Sequence, residues 1–255
     1  MAAIDFFGYL FLALGPPAAF FCVFIAPKSF VVLLTIFSAF LWLVVMLFTS
    51  AVFRGFVPLH PAAGPYAGAV LAAVAIEEVA RYGVWRAHAR LCGVLDSMSR
   101  RSGHAFSYSD HVHLALGWGA GHAACHALFL FASLLPLTAG DGSLFSDACP
   151  GLSVFLVGAL NCLGTCATLV AAMAVALEGW RRRSAAHIAF APAVHAASAL
   201  LTLGSFRSGG CAFSVPAVLL VGAASAAYAA RMVWRCAPPP PPADAAAAVA
   251  ARREE

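Results

Sequence analysis

Charge is the scarcest property of this 255-residue sequence: Asp, Glu, Lys and Arg together make up 10% of it, against roughly a quarter of an ordinary soluble domain. Set beside 62% hydrophobic residues, that shortage excludes a water-soluble globular fold. Long polar connections are missing too, so there is no room for a separate soluble domain between the apolar runs. No Lys or Arg precedes the first run, and Asp5 stands where a basic n-region belongs. That run therefore reads as a permanent helix rather than a cleaved signal peptide.

Catalytic motifs are equally scarce. An intramembrane aspartyl protease needs two aspartates at depth sharing a proton, yet Asp5, Asp96, Asp110, Asp141, Asp147 and Asp244 all fall outside or at the ends of the apolar runs. Thr138-Ala139-Gly140-Asp141 lacks the spacing of the presenilin-type G-x-G-D motif. No G-x-S-x-G offers an exposed nucleophile with a histidine base. His122 and His126 have the spacing of a zinc-protease helix, but Ala123 occupies the position of its general base, so that motif is absent. Glu78-Val79-Ala80-Arg81-Tyr82 is not the Asp-Arg-Tyr signature of rhodopsin-like receptors, and the last run has no N-P-x-x-Y. No internal repeat marks a two-halved transporter, and the basic residues lack the aromatic interleaving of a nucleic-acid surface. Non-enzymatic function, no cofactor, no metal and no nucleic-acid partner are the resulting expectations.

What is present is a series of seven apolar runs: Phe6–Ile25, Phe30–Phe53, Tyr66–Val84, Val112–Leu137, Leu152–Leu177, Ala185–Gly204 and Ala212–Val233. Each is close to the roughly 20 residues that cross a hydrocarbon core. Lipid offers no partner to backbone N–H and C=O groups, so such runs should be helices. The expected fold is all-α, a polytopic membrane protein of seven transmembrane helices over residues 1–235, followed by a tail at 236–255. The tail, with five prolines at Pro238–Pro242 and an Ala-rich stretch, reads as disordered with a polyproline II start. A ligand for a proline-recognition module is the less favoured reading. Arg86, Arg90, Arg100 and Arg101, then Arg181–Arg183, then Arg235, Arg252 and Arg253 cluster in alternate connections, against Arg54 and Arg207 in the opposite ones. Positive-inside bias thus predicts a lumenal or extracellular N-terminus and a cytosolic C-terminus, with contacts to lipid all round.

Cys92 and Cys236 then lie on the cytosolic side, where thiols stay reduced, and Cys149 and Cys211 share the lumenal side. Whether those two form a disulfide is open, because sequence does not show if their Cα atoms come within about 4.4–6.8 Å. Pro16 and Pro17 in the first run, Pro192 in the sixth and Pro216 in the seventh each remove a helix hydrogen bond and are expected to kink or open their helices.

Polar residues at bilayer depth cost at least roughly 2.5 kcal/mol each if charged, so the few that occur are candidates for partner binding. Glu78 and Arg81 share one face of the third run at i,i+3. The favoured reading is a locally neutralised pair anchoring that helix. In the alternative, Glu77 is left over to bond another helix or a partner subunit. The fourth run carries His113, His122 and His126, the sixth His195. Haem held between two runs would need matched histidines on facing helices, and hydrogen bonds between helices are preferred. Gly117 and Gly121 form G-x-x-x-G, extended by Cys125, a face on which another helix can approach closely.

Taken together, these residues resemble the anterior pharynx-defective family, the seven-helix scaffold subunit of γ-secretase. The likeness runs through Phe6-Phe7-Gly8, Ala13-Leu14-Gly15-Pro16, Leu41-Trp42-Leu43-Val44, Glu78, Arg81, Gly121-His122, His126-Ala127, Glu178-Gly179 and Pro192-Ala193-Val194-His195, with Leu201-Thr202-Leu203 and Gly210-Cys211 similar to the plant-type branch. The resemblance implies a subunit without proteolytic activity that assembles and stabilises presenilin, nicastrin and the presenilin-enhancer subunit in endoplasmic reticulum and Golgi membranes, serving Notch-type intramembrane proteolysis. It also implies that the Gly117–Gly121 face packs within the complex and that His195 lies in a polar cavity supporting presenilin association. Leu169 stands where the family has a fifth-span histidine. Either His122 or His126 compensates, or the cavity matters less here. The alternative of another class is an orphan seven-helix receptor or transporter.

Overall fold

The computed structural model describes residues 3–56, 63–102, 106–139, 144–146 and 148–237. Asp141, Asp147 and the tail from residue 238 onward, including Asp244, lie outside the described residues. Seven long helices carry the described chain: α1 (Ala3–Phe20), α2 (Ser29–Phe56), α3 (Ala63–Arg101), α4 (Tyr108–His126), α5 (Val154–Arg182), α6 (Ala185–Thr202) and α7 (Cys211–Cys236). Between α4 and α5 a short antiparallel hairpin pairs β1 (Phe145–Ser146) with β2 (Cys149–Ser153).

Six of these helices are long and apolar enough to cross a membrane, and α3 is the exception. It is long enough, but its apolar run contains Glu77, Glu78 and Arg81. At about 1.5 Å per residue, its 39 residues extend about 58 Å, nearly twice a hydrocarbon core of about 30 Å. The sequence suggests a connecting segment from Trp85 onward, whereas the helix continues to Arg101. Helix-favouring residues and an Asp96–Arg100 ion pair at i,i+4, 2.5 Å long, sustain it once the chain has left the apolar run. α4 then starts from a capping box, in which the Ser107 hydroxyl accepts from the Asp110 amide and the Asp110 carboxylate accepts from the Ser107 amide.

The proline-bearing helices stay continuous. α1 passes through Pro16 and Pro17 and then widens into a π turn at Phe21–Ile25, a local re-registering that accommodates lost hydrogen bonds. α4 likewise passes into a π turn at Ala127–Phe131 and a 3₁₀ stretch at Ala132–Ala139 that contains Pro136.

α5 is the hub, packing extensively against α7, α6 and α4 and also against α1. Its buried run Ala171-Ala172-Met173-Ala174-Val175-Ala176-Leu177 is rich in Ala, so neighbouring backbones can close in from several sides. Where α5 crosses α7 the backbones meet. A Cβ added at Gly222 would lie 2.5 Å from the Gly164 carbonyl oxygen, and one at Gly164 would lie 2.8 Å from that of Val218. Bulky side chains such as Phe37, Phe40, Leu47 and Phe48 on α2 stand exposed, as a lipid-facing surface requires. A disulfide joins Cys149 of β2 to Cys211 at the start of α7, with Cα atoms 5.9 Å apart.

Candidate functional site, an intramembrane polar centre

Polar side chains of three helices, α3, α4 and α6, meet inside the bundle. Spacing of three or four residues puts Glu78 with Arg81 on one face of α3, and His122 with His126 on one face of α4. His195 comes from α6, where it is buried beside Ser198. Glu77 lies under these imidazoles and is itself buried.

The Nε2 atoms of His122 and His126 each stand 3.0 Å from the same oxygen, Glu77 Oε2. An ionised carboxylate only accepts, so each ring donates its Nε2–H there. His195 donates Nδ1–H to Glu78 Oε1 at 3.0 Å, while its Nε2 lies 3.6 Å from Glu77 Oε2. Arg81 Nη2 completes the chain at 3.2 Å from Glu78 Oε1. Its side chain is fully buried, and its nitrogens lie off any hydrogen-bond axis, so it acts there as a charge. Trp42 of α2 closes the centre from above, its ring stacked on His122 at a centroid distance of 3.5 Å and 9° between planes.

With the imidazoles neutral, two carboxylates and one guanidinium leave one net negative charge, spread over three N–H donors. Such a cluster orients helices and holds charge away from lipid. Glu77, His122 and His126 also have the proximity of a metal triad, their ligand atoms lying within 4.8 Å of one another. Both ring nitrogens nevertheless point at a single oxygen at hydrogen-bond distance, which makes this a donor–acceptor layer.

His113 does not join the centre. It sits at the start of α4, where its Nδ1 is 2.6 Å from the Ser109 carbonyl oxygen and 3.3 Å from Lys28 Nζ, and Lys28 pairs with Asp110 at 3.1 Å. Leu169 is fully buried with Ala123, Ala127 and Cys166 and so fills an apolar contact between α5 and α4. His122 and His126, by contrast, stand beside His195, with ring centroids 6.1 and 6.3 Å away.

The resemblance implies that the small-residue stripe of α4 packs within the complex, and in this chain a neighbouring helix already meets it. Gly117 and Gly121 are covered by α2 of the same chain. A Cβ on Gly121 would lie 2.5 Å from both Ser38 Cβ and the Thr35 carbonyl oxygen, and one on Gly117 would lie 2.8 Å from Val31 Cγ1. The seam is locked by the Ser38 hydroxyl donating to the Trp118 carbonyl at 2.7 Å. Cys125 continues the stripe, with its thiol 3.6 Å from Met46 Sδ.

Several site residues escaped the sequence reading. Gly119 faces the other way from its neighbours, towards α5, where an added Cβ would lie 3.0 Å from the Val170 carbonyl oxygen. Gly164 and Gly222 belong to no G-x-x-x-G motif on their helices. His88, Cys92 and His111 cluster where α3 leaves the apolar run and α4 begins, with burial and the neighbouring His111 pushing the His88 pKa down to about 4. Their signal, a His and a Cys at i,i+4, has meaning only once that segment is known to be helical.

Between α1, α4, α5 and α7 lies an apolar groove of about 990 Å³, bordered by Pro16, Pro17, Ala167, Val170, Ala226 and Ala230. The prolines belong to α1, and the small residues of α5 and α7 leave it deep.

The sequence model of the family described as Aph-1 protein matches residues 4–236. A protein from Arabidopsis thaliana named gamma-secretase subunit APH1-like is 33% identical over 230 residues, spanning 89% of this chain and 92% of that relative.

Proposed function

This chain belongs to the Aph-1 family, and from that membership we propose that it is a non-catalytic scaffold subunit of a γ-secretase complex, assembling and stabilising presenilin and nicastrin with the presenilin-enhancer subunit. The catalytic aspartates are then the partner's, in keeping with a sequence that offers no aspartate pair within its spans. The observation that carries the reading is the apolar groove of about 990 Å³, in a chain whose own intramembrane charges, Glu77, Glu78 and Arg81, are answered internally. A receptor or transporter needs polar groups facing its ligand path. This groove offers instead a bed for an apolar segment of another protein.

In this reading α3 crosses the bilayer with the other six helices, since its charges meet histidines rather than lipid. The arginine clusters face the cytosol, and the Cys149–Cys211 bond marks the opposite, oxidising side, consistent with residence in endoplasmic reticulum and Golgi membranes. His195 and its neighbours orient α3 and α6 for presenilin.

The test is affinity purification of the tagged native protein in mild detergent, with mass spectrometry of what remains bound. Stoichiometric recovery of presenilin and nicastrin homologues supports the scaffold role, and a stable monomer without them overturns it. Filling the groove by Ala167→Phe should abolish recovery of at least one partner while the chain itself stays folded.

A further inference from the structure

The cluster where α3 meets α4 has no part in the polar centre, and its chemistry is different. His88 and Cys92 lie one turn apart on the same face of α3, and His111 stands in the first turn of α4. Cys92 Sγ is 3.4 Å from His88 Nε2 and 3.5 Å from His111 Nδ1. One ligand atom from each of the three residues lies within 4.8 Å of the others. A tetrahedral zinc ion with Zn–S of about 2.3 Å and Zn–N of about 2.0–2.1 Å sets its S···N edges at about 3.5 Å. Both edges present match that value.

Hydrogen bonding alone serves the cluster poorly. A thiol donates to one imidazole only, and the other must offer its N–H to sulfur, which is a weak acceptor. Among the described residues, that sulfur is the only hydrogen-bond partner of the buried His88 ring. Beside the cluster is a cavity of about 20 Å³, bordered by His88, Tyr108, His111, Glu178 and Arg181, larger than the roughly 10–15 Å³ one water needs. It adjoins His88 and His111 and has room for one water.

We propose that His88, Cys92 and His111 form a zinc site, with a water in the adjoining cavity as fourth ligand, that clasps the extension of α3 to the start of α4. A thiolate with two imidazoles is a donor set suited to Zn²⁺. On the orientation proposed above, Cys92 faces the reducing cytosol, where it stays free of disulfides and open to metal. Binding releases the thiol proton to solvent and leaves the sulfur as thiolate on the ion, with no redox step. The ion would tie two helix segments that the short connection through Ser107 otherwise leaves to their own caps.

The experiment uses the full chain purified with its bound partners in mild detergent, stripped by chelator and reloaded with micromolar zinc sulfate, with metal counted by plasma mass spectrometry. About one zinc per chain is expected. Cys92→Ser and His111→Ala should each weaken binding on the order of 10-fold or more, the range seen when a zinc site is impaired. Cobalt loaded in place of zinc should give a thiolate charge-transfer band that Cys92→Ser removes. Should either variant fail to fold, the wild-type chain still decides: zinc should slow maleimide labelling of Cys92, read by peptide mass spectrometry. Absence of zinc after reloading, a cobalt spectrum without a thiolate band, or labelling of Cys92 indifferent to zinc would each overturn the site. The cobalt band lost in Cys92→Ser and the labelling of Cys92 report on this chain whichever partners co-purify, so a failed scaffold reading and a failed zinc site are told apart.

Discussion

Two ways of holding a helix in lipid stand side by side in this bundle. α4 meets α2 along Gly117 and Gly121, where a missing Cβ lets one backbone lie on another. α3 has few packed residues against α4 and is joined to α4 and α6 through Glu77, Glu78 and Arg81 reaching His122, His126 and His195. Because lipid tails are as apolar as Leu, no hydrophobic force separates helix from helix, and only close packing or directional bonds remain. The glycine seam is therefore sensitive to added volume, most where backbone faces it, and is indifferent to charge. The polar centre tolerates changes of shape better than the loss of a partner.

Glu77→Leu tests that difference at its strongest. It leaves the Nε2–H groups of His122 and His126 buried without an acceptor and Arg81 with Glu78 alone. Breaking one side of a buried ionic cluster costs about 3–5 kcal/mol, so thermal melting in detergent should show a large loss. Glu77→Gln keeps an acceptor and should lose clearly less. Equal melting of both variants would mean that α3 is held by packing, and the comparison would collapse.

On the packing side, Gly121→Leu carries the next largest effect. Its Cβ would start 2.5 Å from a backbone oxygen and from Ser38 Cβ, so α2 and α4 must separate, at about 1–3 kcal/mol or more. Hydrogen exchange should rise on both helices while the His195 contacts persist. Gly222→Ala probes the same principle at the α5–α7 crossing, where the obstruction is again a backbone oxygen 2.5 Å away, that of Gly164. About 1–2 kcal/mol is expected within the range for overpacking, read as a lower melting temperature. An unchanged temperature would show that α5 and α7 can part freely.

These contrasts explain what could be read before folding. Length and apolarity exposed the helices, because a run of about 20 apolar residues has one solution in lipid. Glu77, Glu78, Arg81, His122, His126 and His195 stood out because polar groups at depth are rare. The Glu78–Arg81 pair was legible from its i,i+3 spacing, but the meetings between helices were not: Glu77 reaches two imidazoles 45 and 49 residues away, and only tertiary packing sets such a pairing. The continuation of α3 to Arg101 was hidden for the opposite reason, since outside the apolar run helix and loop look alike in composition. With it went His88 and Cys92. Gly164 and Gly222 carry no motif, as each helix contributes a single glycine to a crossing written in neither sequence alone.

Gly117 and Gly121 look equivalent in sequence, and the smallest prediction separates them. At Gly121 the obstruction is the backbone of α2, which can yield only by moving the helix. At Gly117 the nearest atom to an added Cβ is Val31 Cγ1 at 2.8 Å, the end of a side chain, followed by Thr35 Oγ1 at 3.3 Å and the Val31 carbonyl at 3.4 Å. A rotation or small shift of Val31 relieves most of that overlap, so Gly117→Ala should cost below about 1 kcal/mol, less than the usual range for overpacking. Melting of Gly117→Ala, alone and with Val31→Ala, decides the matter. A Gly117→Ala loss that vanishes when measured in the Val31→Ala background places the strain on the Val31 side chain, whereas a loss as large as that of Gly121→Ala would mean that the α2 backbone bears on both glycines alike.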